Sequence, residues 1–185
     1  MINIKGEKFL KIAWVIFFSG FFLGYTLRFL DVARSLAFGF EPIYPIHRET
    51  MYSMKALGYS VELEFLDVLR ANIVPAVTTI GGGALLGIPS ATLLFVIGIV
   101  SGASFAEIVE FTPLLMNIKV AVCLAIFMGA MVFSASVGFQ IGEKIYNTIR
   151  RKEIKVEREL YDHFLIASVL VILGIIIQYL LLVRA

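Results

Sequence analysis

The chain has 185 residues, of which 59% are hydrophobic and 16% charged, with a mean hydropathy of +0.92 and a formal net charge of +2. A soluble domain commits roughly a quarter of its residues to charge, so this composition excludes a water-soluble globular protein and points to an all-α, polytopic helical membrane bundle. Cys123 is the one cysteine, which excludes an internal disulfide and a cysteine-based metal site.

Tracts free of charge place the membrane segments, since a spanning helix needs about 20 mostly apolar residues. The first tract, Ile12–Leu27, extended backward by Phe9 and Leu10, predicts a span over about 9–27. Its basic start, Lys5, Lys8 and Lys11, would suit a signal peptide. However, Tyr25-Thr26-Leu27-Arg28 follows in place of a small-residue cleavage site, so the segment is expected to remain as an anchor. Arg28–Arg70 then carries five basic and six acidic residues. Within it, Phe38-Gly39-Phe40-Glu41-Pro42-Ile43-Tyr44-Pro45 reads as an aromatic turn at headgroup depth. Val61, Phe65, Val68 and Leu69 recur at helical spacing among Glu62, Glu64 and Asp67. That pattern predicts an amphipathic outer helix, with a corner at Arg70-Ala71-Asn72 where the chain enters the bilayer.

From Ala71 to Ala106 no charged residue occurs. One helix of that length would run roughly 54 Å, so the tract must break. Gly87-Ile88-Pro89-Ser90 supplies the break, with a flexible residue, a residue held extended by the following proline and a capping hydroxyl. Two segments result, about 71–87 and 90–106, forming a Gly-rich hairpin that either crosses twice or is re-entrant. Gly81-Gly82-Gly83 costs helix stability, roughly 1 kcal/mol per glycine, and Pro75, Thr78 and Thr79 precede it. Unwound backbone with hydroxyls can line a permeation path. The candidate residues for such a path are Asn72, Thr78, Thr79, Gly81, Gly82, Gly83, Ser90 and Thr92. The other reading of the triplet is a crossing point where a second helix presses on the glycine face.

The last two segments are about 117–142 and 163–183. Glu143–Asp162 between them carries six basic and five acidic residues and reads as a helical extension of the fourth span. Glu107, Glu110 and Lys119 are expected to form a charge clasp at the outer interface, and His163, beside Tyr161 and Asp162, an interfacial anchor. Glycines four apart recur as Gly20/Gly24, Gly83/Gly87, Gly98/Gly102 and Gly138/Gly142, a spacing that lets helices pack closely in lipid. Lys and Arg cluster before the first span and in 144–158, which predicts a cytoplasmic N-terminus, an outer 28–70 segment and an outer C-terminus in a cell-membrane protein. There is no nucleophile elbow, zinc-ligand spacing or phosphate loop, so neither an enzyme nor a cofactor is expected. The expected partners are membrane lipid and a second copy or another membrane protein, with no nucleic acid.

Asn72, Gly83 with Gly87-Ile88-Pro89-Ser90, the Gly98/Gly102 step and Gly138-Phe139-Gln140-Ile141-Gly142 together resemble the stage II sporulation protein M (SpoIIM) family of multi-span membrane proteins. The resemblance covers somewhat under half of the chain. It departs at Ile97, where many members have Asn, and at Cys123 and Phe127, where many have His and Glu. The sporulation member anchors and localises partners that remodel peptidoglycan, so the resemblance implies a non-enzymatic scaffold. The alternative is a small homo-oligomeric transporter or channel using the 75–90 hairpin. A third option is a membrane subunit of an ABC-type exporter.

Overall fold

A computed structural model describes residues 4–27, 65–111, 114–150 and 158–183. The aromatic 38–45 turn and Val61–Glu64 lie outside these residues. The described chain forms five α-helices: α1 (Ile4–Leu27), α2 (Phe65–Gly81), α3 (Ile88–Phe111), α4 (Leu114–Ile149) and α5 (Arg158–Gln178). Each is long and apolar enough to cross a membrane, and no strand occurs among the described residues. The protein is an all-α, multi-pass helical membrane bundle.

The helices outrun the charge-free tracts because loss of charge marks the hydrocarbon region, whereas hydrogen bonding continues past it. α4 extends to Ile149 and α5 begins at Arg158, so each reaches beyond the apolar core. α2 likewise runs unbroken through Arg70-Ala71-Asn72, which replaces the expected corner. Nothing there breaks a helix, and the Asn72 amide donates to the Val68 carbonyl one turn back (2.9 Å).

The hairpin breaks slightly earlier than the sequence suggests. After Gly81 the helix tightens to a 3₁₀ turn over Gly82–Leu85, then reverses at Leu86 and Gly87, whose φ values are 59° and 78°. Gly87 is suited to this left-handed backbone. α3 starts at Ile88, with Pro89 in its first turn, where a missing N–H costs no helical bond. Ser90 is therefore inside α3 and does not cap it.

Neighbouring positions fix the directions. A side chain at Gly98 would meet the Phe17 backbone, and one at Gly102 the Phe21 backbone, while the Phe21 and Phe105 rings lie 6.0 Å apart. The numbers rise together, so α1 and α3 are parallel. Gln140 touches His163 and Gly174 lies near Ile126, so α4 and α5 are antiparallel. The hairpin turn shares a groove with Phe9 of α1 and Tyr146 of α4, which places these three parts at one end of the bundle.

α4 is the central helix. Residues 134–140 are all buried, so every side of that stretch faces protein. Four of the seven are Ser134, Ala135, Ser136 and Gly138, whose small volume lets the surrounding helices approach. Phe17, Leu94, Ile97, Phe127 and Met131 fill the centre and are almost fully buried.

Candidate functional site

Two glycine contacts shape the bundle. Gly20 and Gly24 of α1 pack on the backbone of Phe95 and Ile99 in α3, while Gly98 and Gly102 pack on Phe17 and Phe21. The second contact lies at the hairpin tip. A side chain on Gly83 would strike the Gly138 backbone, and Gly142 faces the backbone of Leu86 and Gly87. A Cβ on Gly82 would come within 2.7 Å of the Ser90 nitrogen. The hairpin tip thus presses on α4 backbone to backbone.

This packing divides the residues proposed to line a permeation path. Thr78, Gly81 and Thr92 are exposed on the outside of the bundle. The Thr78 and Thr92 hydroxyls donate to carbonyls of their own helices, at 2.8 Å to Val74 and 3.2 Å to Ile88. Asn72, Thr79, Gly82, Gly83 and Ser90 are buried. Ser90 donates to the Thr79 carbonyl (2.7 Å), tying the two arms together, whereas the Thr79 hydroxyl is buried without a hydrogen-bond partner among the described residues. The set therefore does not converge on one lumen.

Polar groups converge instead at two contacts with α5, and it is their pairing that sequence reading missed. Asn72 of α2 donates to Gln178 Oε1 of α5 at 2.8 Å, with both residues almost fully buried. Among the described residues the Gln178 amide nitrogen has no partner, and a π-helical turn, Tyr179–Val183, follows directly. Toward the opposite end of the bundle, His163 Nδ1 lies 3.0 Å from the Ser136 hydroxyl and 2.9 Å from the Gln140 amide nitrogen. The amide nitrogen can only donate, so Nδ1 accepts and the ring proton sits on Nε2. The edge of Phe133 closes over the imidazole, with centroids 5.4 Å apart. His163 thus anchors α5 to α4.

One turn further along each helix come Lys144 and Glu159. The antiparallel register that pairs Gln140 with His163 sets these two opposite each other. Lys144 Nζ and Glu159 Oε2 are both shielded from solvent and lack hydrogen-bond partners among the described residues. Ser136, Gln140 and Lys144 are spaced by four on α4, as are Glu159 and His163 on α5, so each set forms a stripe on one helix face. That repeated spacing was the signal available in the sequence.

In the expected outer clasp, Lys119 is half-buried near the start of α4. The Glu107 and Glu110 side chains lie outside the described residues. Among the described residues no group of three or more His, Cys, Asp or Glu could hold a metal ion. No protein family, curated protein or solved structure matches the chain.

Proposed function

We propose that the protein is a non-enzymatic integral membrane scaffold of the SpoIIM type, anchoring or localising partner proteins at the membrane. The observation that supports this reading is the solid packing behind the hairpin. Thr79 is fully buried, its neighbours Gly82 and Gly83 touch α3 and α4, and the hydroxyls of Thr78 and Thr92 point away from the centre. A transporter needs a polar cavity at mid-depth, and among the described residues none opens onto Thr79, which is fully buried. Partners would be met by the outer amphipathic segment within Arg28–Arg70 and the charged inner loop, Glu143–Asp162.

Purified protein in sealed vesicles is expected to pass neither ions nor small neutral solutes above an empty-vesicle background. Thr78→Val with Thr79→Val should leave thermal stability unchanged or slightly raised, because a buried hydroxyl without a partner is removed. A reproducible flux lost in that double variant would replace the scaffold with a channel.

We place the N-terminus in the cytoplasm of a cell-membrane protein. Lys8, Lys11, Lys144, Arg150 and Arg158 lie at the end holding the hairpin turn, against Arg70 and Lys119 at the other. Short-loop basic residues favour the cytoplasmic side. Single cysteines at Thr148 and Ser53 should react with impermeant thiol reagents from opposite faces. Labelling of both from outside would overturn the five-crossing orientation.

A further inference from the structure

The hairpin turn does not fill the space between α1 and α4. A groove of about 390 Å³ remains there, walled by Phe9 and Ile12 of α1, Ile88 of α3 and Phe139 of α4, with Ala91 among its lining residues. It exists because Gly87, Ala91 and Gly142 are small. Only its rim is polar, where Glu143 and Tyr146 project from α4. The volume falls within the ~300–1,000 Å³ usual for ligand sites. Its apolar lining in a membrane-spanning bundle suits a hydrocarbon chain.

The rim decides which lipid. Glu143 is exposed and forms no ion pair among the described residues. Its carboxylate can only accept hydrogen bonds. Two cations stand nearby. Lys8 is exposed one helical turn before Ile12 on the same face of α1. The Arg150 guanidinium lies 4.6 Å from the centre of the Tyr146 ring. A carboxylate flanked by cations complements a headgroup that carries a primary ammonium beside a phosphate. We propose that this groove binds one phospholipid with an ethanolamine-type headgroup, an acyl chain lying against Phe9, Ile12 and Phe139, its ammonium on Glu143 and its phosphate toward Lys8 and Arg150. A choline headgroup has no N–H to donate to Glu143. A glycerol headgroup leaves an anionic lipid beside a carboxylate. The site lies in the leaflet that holds the start of α1, and it does not depend on whether the protein is a scaffold or a channel.

Native mass spectrometry of the full chain, released from detergent with equimolar phosphatidylethanolamine, phosphatidylcholine and phosphatidylglycerol, tests this. One bound phosphatidylethanolamine should exceed phosphatidylcholine by about tenfold, the discrimination a charge-assisted hydrogen bond provides. Glu143→Gln should bring the two near parity without disturbing the fold, because the side chain is exposed. Ala91→Phe should reduce retention of all three lipids, whereas Val122→Phe, on an exposed part of α4 remote from the groove, should not. Equal retention of the ethanolamine and choline lipids by the unmodified protein would overturn the proposal, as would a preference for the glycerol lipid or a preference that survives Glu143→Gln. A dimer that Ala91→Phe dissociates, with no lipid retained, would assign the groove to a second copy of the chain instead.

Discussion

Gly102→Leu is expected to lower the thermal unfolding midpoint in detergent sharply, while Gly81→Ala raises it. At Gly102 the first added carbon would run into the Phe21 carbonyl of α1, and at the neighbouring Gly98 it would meet the Phe17 carbonyl less tightly. Backbone in two packed helices cannot step aside as a flexible side-chain end can, so the helices must separate over several turns. Such overpacking costs about 3 kcal/mol, at the upper end of the usual range. The Phe21–Phe105 contact, with ring centroids 6.0 Å apart, would open with it. Gly81 is the contrasting case. Its φ and ψ of −61° and −29° suit alanine, and nothing lies within 4 Å of the added methyl. Alanine there restricts the unfolded chain and should contribute about 0.5–1 kcal/mol. If the two variants unfold alike, glycine at 102 is not what sets the distance between α1 and α3.

Gln140→Leu and His163→Leu should each destabilise the bundle by about 1–2 kcal/mol, because each leaves its partner's polar atom in an apolar setting. Without His163, the Gln140 amide nitrogen keeps only Ser136 Oγ, at 3.5 Å. Without Gln140, His163 keeps the Ser136 hydroxyl at 3.0 Å. The double variant replaces both polar groups by hydrocarbon, so its loss should fall well short of the sum. A double-mutant cycle by denaturant or thermal unfolding reads this coupling directly. Additive losses would mean that the two side chains act separately and that α4 and α5 are held by apolar packing alone.

These two cases show how far the sequence was legible. Membrane segments could be read because the exclusion of charge from hydrocarbon leaves long charge-free tracts, and the break near Gly87 because glycine and proline act on local backbone. Helix ends were harder, since nothing in Arg70-Ala71-Asn72 says whether a helix bends where it leaves the lipid. The polar pairs were harder still. Asn72 and Gln178 are 106 positions apart, and Gln140 and His163 belong to different helices, so only the three-dimensional register brings them together. His163 in particular stands beside Asp162 and Tyr161 in the sequence, which suggests an interfacial anchor and names no partner on α4. The rotation of α5 turns it toward Ser136.

The parallel contact between α1 and α3 also bears on how the bundle is assembled. Two adjacent helices in a multi-pass chain run antiparallel and can pair as soon as both have entered the bilayer. α1 cannot do this with α3, because α2 must first cross in the opposite direction and more than sixty residues separate Gly24 from Gly98. Formation of non-local contacts has to await the later segment and the closure of the intervening loop. During synthesis, then, α1 stands in the lipid with its glycine face uncovered until α3 arrives, and the firmest helix pair of the finished protein is one that no two consecutive segments can nucleate.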